Sequence, residues 1–362
     1  MNRRTFIANS MAILCLTRLS YAAPFGSGPK LEVVTTSPWL SNGFTMTPEG
    51  AGFINFPRFK GHFDSPALAR LTTAGPVSFP GNHWNDWKSG DSGRNTLVNV
   101  NAVHNFGDSL IWVVDQGAAQ GEKADPGAAK LVAFDANTGA VEKLIRFDEH
   151  SFPAGGAPND LRIHGKWIYV TDSGTGGIVI HNMETSQTYR KLSQSRFLRK
   201  PAELAQKGFR GRILEDAEGK RPSVHSDMIE VTADGEWLYV ATPTGPLYRI
   251  NTHLLADNAI EDDILETHLE KVADIPSIGG SAIDQDGNLY LSDTESRAII
   301  CLKPDGTVST IIQDDRLVTP DALMIDDKGW MYVPAPQIEL LSANNRGAEM
   351  TSPPWYIYRF KL

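Results

Sequence analysis

Between residues 156 and 174 the chain reads GAPNDLRIHGKWIYVTDSG, and its apolar positions fall into two short runs. Leu161 and Ile163 alternate with Arg162 and His164; past the turn at Gly165-Lys166, Trp167 to Val170 is apolar throughout. Two such runs around a tight polar turn predict an antiparallel hairpin. The plan returns in NGFTMTPEGAGFINFPRF (42–59), NAVHNFGDSLIWVVDQG (101–117), HSDMIEVTADGEWLYVAT (225–242), GGSAIDQDGNLYLSDTE (279–295) and PDALMIDDKGWMYVPAP (320–336).

One aromatic or branched residue marks the second strand of each copy: Ile54, Trp112, Tyr169, Tyr239, Tyr290 and Tyr332, spaced 58, 57, 70, 51 and 42 residues apart. Further strands follow, as in AKLVAFDANTGAVEKLIRF (129–147), GGIVIHNMETSQTYRKL (176–192), GPLYRI (245–250) and RAIICLKPDGTVSTII (297–312). Four strands per unit, six times over, predict an all-β fold: a six-bladed β-propeller of four-stranded antiparallel blades. The last copy is followed by one clear strand only, Trp355 to Lys361. Leu31 to Thr36 is therefore expected to supply the missing outer strand and close the ring, which removes free sheet edges.

This topology gives the polar ends of the hairpins a common address. The innermost strand of a blade starts at the face to which the second strand returns, so both ends meet at one mouth of the central channel. Asn101, Asn159, Asp160, Asp172 and Ser281 become candidate ligand-binding residues of a small-molecule site. Asp227, Asp321 and His225 become candidate catalytic residues, since carboxyl and imidazole groups move protons near neutral pH. Clustered Asp and Asn oxygens suit a hard cation such as Ca2+, and equally the hydroxyls of a polar ligand. The alternative for each of these residues is a turn cap on the chain's own backbone, and for His225 a backbone-bonded loop histidine.

Residues 1–22 do not continue the repeat. Arg3-Arg4 precedes an apolar stretch, Met11 to Leu16, and Ser20-Tyr21-Ala22 resembles a cleavage site, so the segment is expected to be a twin-arginine-like export signal. The apolar run is too short for a stable membrane anchor. The remainder, 23–362, is expected to form one exported domain, periplasmic or extracellular. The chain carries 34 Lys and Arg against 43 Asp and Glu, net −9, and becomes more acidic once Arg3, Arg4 and Arg18 leave with the signal. That balance disfavours nucleic acid as a partner. Only Cys301 would survive cleavage, inside an apolar strand, so it is read as core and no internal disulfide is possible.

Other chemistry finds little support. The chain has no G-x-S-x-G elbow and no H-E-x-x-H motif. Residues 190–212 hold eight basic residues against Glu203 alone, in the longest gap between copies. This segment, part of an excursion over about 190–224, is expected to be helical and solvated, or else a lid for anionic ligands. The stretch His83-Trp84-Asn85-Asp86-Trp87 is either a pocket wall or packing.

The sequence resembles the major royal jelly protein/yellow family. The resemblance is carried by FINFPRFKG (53–61), FPGNHWND (79–86), LIWVVDQG (110–117), KLVAFDANTGAV (130–141), NDLRI with YVTDSGTGGIVIHN (159–182), SDMIEVTADGEWLYVATPTGPLYRI (226–250) and SAIDQDGNLYLSDTES (281–296). It implies a secreted six-bladed propeller with mixed biochemistry: some members resemble isomerases of oxidised catechols, others binding or storage proteins. A more distant resemblance is to the gluconolactonase/senescence marker propellers, which use a channel Ca2+ to hydrolyse lactones. It implies metal and substrate roles for Asn159 and Asp227. Where that family has a first-blade Glu, this chain has Ser41-Asn42-Gly43, a departure that weakens a Ca2+ site.

Overall fold

The computed structural model describes residues 28–362; the expected export signal at 1–22 lies outside the described residues. Six four-stranded antiparallel sheets are arranged as the repeat predicts. Blades 1 to 5 begin with the inner strands Gly43–Met46, Val100–His104, Pro158–His164, Met228–Val231 and Ile278–Ile283. Blade 6 begins at Met324–Ile325 and continues through Trp330–Ala335 and Trp355–Lys361 to Glu32–Ser37, its outer strand. The N-terminal strand thus closes the ring, pairing Glu32 with Arg359 and Ser37 with Trp355.

The turns follow the sequence. Gly235 and Gly329, each ending a polar turn after Asp or Lys, have φ of +74° and +71°, a region that strongly favours glycine. Apolar side chains pack between neighbouring blades and not within them. Trp112, Leu161, Ile168 and Val179 join blades 2 and 3; Tyr169, Ile180, Ile229 and Leu238 join blades 3 and 4. Cys301 is buried between blades 5 and 6, as core.

Blade 1 departs from the expected register by one residue. Trp112, Tyr169, Tyr239, Tyr290 and Tyr332 all pack toward the following blade, whereas Ile54 packs back on Tyr332 of blade 6. Phe53, which packs against blade 2, holds the equivalent place. A strand has a period of two, so a one-residue offset reverses the face.

The excursion between blades 3 and 4 is not helical. Its regular structure past Lys191 is a 3-10 turn at Phe209–Gly211 and two isolated bridges, Lys207 with Ile213 and Glu215 with Asn345. It crosses to blades 5 and 6, where Phe209 N–H donates to Glu339 (2.6 Å) and Arg210 N–H to the Glu295 carbonyl (2.8 Å). Buried carboxylates hold two of its basic residues, Arg190 bridging Asp172 at 2.8 Å and Arg212 approaching Glu339 at 3.7 Å, while Arg196, Arg199 and Arg210 stay exposed. Trp84 and Trp87 are packing material, buried under blade 2. Among the described residues no helix is long and apolar enough to cross a membrane.

Candidate functional site

A cavity of about 1420 Å³ opens at the mouth where the inner strands begin. Asn42, Asn101, Asn159, Asp227, Ser281 and Asp321, drawn from all six blades, form its floor. Neighbouring blades are tied together there. The Asn42 amide donates to the Asn101 carbonyl and the Asn101 amide to the Asn159 carbonyl, both at 3.2 Å. Thr171 donates to the Asp227 carbonyl (3.0 Å) and Ser292 to the Asp321 carbonyl (2.6 Å). Blade 5 contributes glycine where blades 3 and 4 carry Asn159 and Asp227. A Cβ on Gly279 would stand 2.1 Å from the Pro320 carbonyl oxygen, and one on Gly280 2.8 Å from the Ala322 backbone. The missing side chains let the segment bearing Asp321 close in on the channel.

Asp227 and Asp321 are held in an unusual state. Burial, with the Asp160 charge, pushes the Asp227 carboxyl up to about 7, although Asn159 bonds to it. Burial and the charges of Asp227 and Asp160 hold Asp321 well above the carboxylate range, against the pull of the Ala322 and Asn42 hydrogen bonds. Two carboxyl groups that crowd each other in this way do not both ionise at neutral pH; one keeps its proton.

Immediately below lies a polar layer that the sequence reading did not single out. His104, Arg162 and Glu230 sit on the inner strands opposite Trp112, Tyr169 and Tyr239. The Arg162 guanidinium clasps Glu230 (2.8 and 2.6 Å) and reaches Asp160 at 2.9 Å. His104 Nε2 lies 2.6 Å from the other Asp160 oxygen, and Ser281 donates to Glu230 at 2.7 Å. Burial by itself would raise Asp160, but Arg162 and His104 hold it down at about 2. It is therefore a fixed negative charge beneath the two acids. The available signal was periodicity: 104, 162 and 230 each lie three residues past a floor residue.

Residues 107–352 match the family described as major royal jelly protein. The chain belongs to that family. No curated protein sequence matches it. This family member superposes on a gluconolactonase from Xanthomonas campestris with a TM-score of 0.54 at 12% identity, covering 95% of this chain and 99% of the other. A calcium-binding regucalcin from Agrobacterium tumefaciens gives 0.51 at 14%, covering 92% and 93%. A streptogramin B lyase gives 0.51 at 12%, covering 92% and 98%. At such identities the likeness is one of fold.

The cavity of this royal jelly protein relative brings together Asn101, Asn159, Asp160, Asp227, Ser281 and Asp321. Two of these are already engaged, since Asp160 is held by Arg162 and His104, and Ser281 by Glu230. Two expectations are corrected. Asp172 has no exposed surface; it accepts from the Ala157, Gly174 and Thr175 N–H groups at 2.8 to 3.1 Å and bridges Arg190. It is a loop tie inside the wall, like Asp115 in blade 2, which caps Val98 and Asn99 and bridges buried Lys130 at 2.7 Å. His225 does not line the cavity. Its Nδ1 accepts the Lys200 N–H at 3.0 Å, its own N–H donates to the Ser173 carbonyl, and burial with Arg199 beside it lowers its pKa. Neutral and committed to two loops, it has no catalytic geometry.

The fit to Ca2+ is one of donor type. The floor offers two desolvated carboxyl groups and neutral amides, the hard oxygens such an ion takes. Among the described residues no three His, Cys, Asp or Glu side chains stand close enough together to hold a metal, so any cation there would rely on amide oxygens and water.

Proposed function

We propose that this is an exported, lactonase-like hydrolase of a small polar cyclic ester, acting at the channel mouth through Asp227 and Asp321. The observation that carries this reading is the convergence of two carboxyl groups of raised pKa on the floor of a cavity large enough for such a ligand.

The chemistry needs one base and one acid. As carboxylate, Asp227 takes a proton from the water that attacks the lactone carbonyl carbon. Asp321, still protonated, donates to the ester and gives its proton to the ring oxygen as the carbon–oxygen bond breaks. The product is a hydroxy acid, and the proton from water regenerates the pair. Asp160 beneath them favours the protonated form of both, and the repulsion of Asp321 by the Asp227 charge splits the two roles. Asn159 and Asp227 are the residues that would hold Ca2+, leaving Asp321 its proton. When bound, that ion would supply polarisation of the carbonyl oxygen.

Hydrolysis of simple lactones and of glucono-δ-lactone, followed by acid release, tests the reading, with calorimetry in Ca2+ and in EDTA alongside. Turnover is expected to rise through about pH 7 in the metal-free protein as Asp227 ionises. Asp227→Asn is expected to lose at least about 10²-fold in kcat together with that limb of the profile. Undiminished turnover in an Asn159→Ala, Asp227→Ala double variant would sink the site assignment. Proton exchange on a quinone-like substrate without lactone hydrolysis would move the same acids to an isomerase.

A further inference from the structure

One residue at the cavity is rigidly placed and chemically uncommitted. Gln206 lies in the excursion between blades 3 and 4, and its main chain is fixed on both sides. Its carbonyl accepts the Leu214 N–H at 3.0 Å. The next residue, Lys207, donates its N–H to Ser277 (3.0 Å) and accepts from Thr294 (2.7 Å), both in blade 5. Two residues further on, Phe209 is locked by Glu339 and covered by the Arg297 guanidinium, 4.2 Å from the ring centroid. The Gln206 side chain, by contrast, is half-buried, lines the cavity and makes no hydrogen bond among the described residues. With the backbone already fixed, only the side-chain rotamers of Gln206 remain to be ordered when its amide engages a ligand.

The floor defines what that ligand must present. One amide N–H of Asn42 and one of Asn101 go to backbone carbonyls, and Asn42 and Asn159 also bond the Asp321 and Asp227 carboxyl groups. The carboxyl and amide oxygens of Asn101, Asn159, Asp227 and Asp321 on that floor can take hydroxyl donors. The excursion brings the complementary group, an amide N–H able to donate to a carbonyl or ring oxygen.

We propose that Gln206 positions the ligand, and that the ligand is a small polyhydroxylated carbonyl compound, its hydroxyls toward the floor and an acceptor oxygen toward Gln206. The aldonolactone class has this pattern. The inference rests on the hydrolase reading for its substrate, though not for its binding geometry.

The experiment compares wild type, Gln206→Ala and Gln206→Glu with glucono-δ-lactone and with δ-valerolactone, which lacks hydroxyls. Kinetics are paired with calorimetric titration of gluconate. The expected result is a KM for glucono-δ-lactone raised about tenfold in Gln206→Ala, with the smaller share of the loss in kcat and the thermal midpoint unmoved. δ-Valerolactone is expected to be the poorer substrate for wild type. Equal KM values in wild type and Gln206→Ala would overturn the proposal while leaving the hydrolase reading intact. Gluconate binding weakened in Gln206→Ala without turnover of either lactone would overturn the hydrolase reading and leave Gln206 in its role. Neither turnover nor saturable binding in wild type would overturn both.

Discussion

On the proposed mechanism, Asp227 sets function against stability at a single residue. Its folded pKa of about 7 lies above the ordinary carboxylate value, so it contributes stability only while protonated in both states. That contribution is lost as pH rises from about 4 through about 7, and above that range the ionised group is a net cost. Asp227→Asn is therefore expected to stabilise the protein at pH 8 by on the order of 2 kcal/mol, and to do little at pH 4. Urea midpoints at the two pH values check this; a variant less stable at pH 8 would contradict the raised pKa. Asp160 has the opposite sign. Its depressed pKa, about 2, means that its contribution is present above about 4 and fades below it. At this scale the location of Asn159, Asp227 and Asp321 at the channel mouth was legible in the sequence, because each stands at the start of an inner strand. It misled about Asp172 and His225, because a turn cap and a ligand contact use the same residue types.

At the scale of the element, the inner strands do two jobs at successive depths. Their first residues form the floor, and residues three further on form the layer of His104, Arg162 and Glu230. That layer bonds blades 2, 3, 4 and 5 to one another. Blade 5 gives up side chains at the floor so that blade 6 can approach. Gly279→Ala is expected to cost about 1 to 3 kcal/mol, because its Cβ meets backbone and not a flexible side chain. On the proposed mechanism it also lowers lactone turnover by moving Asp321. An Ala variant with the wild-type thermal midpoint would show that the two segments are not in contact. The hairpins were readable because alternation and turn chemistry are local. The excursion at 190–224 was not: its basic residues suggested a solvated helix, yet its conformation is fixed by Glu295 and Glu339, far away in sequence.

For the whole molecule, closure is the decisive feature. The strand Glu32–Ser37 pairs with Trp355–Lys361, and Leu31 completes the packing between blades 5 and 6. Removal of residues 28–37 exposes the edge of blade 6 and uncovers that packing. The truncated protein is expected to unfold at a lower temperature and to self-associate, as read by calorimetry and size-exclusion chromatography. A monomer of unchanged midpoint would mean that the ring does not need its closing strand. The amino-acid sequence by itself determined the blade count, the antiparallel hairpins, the closing strand and the family, because each is written in local periodicity and repetition. The tertiary structure alone decided the one-residue offset of blade 1, the polar layer of His104, Arg162 and Glu230, and the proton affinity of the two acids. Those depend on which side chains face each other across a channel, and on how far they are from water.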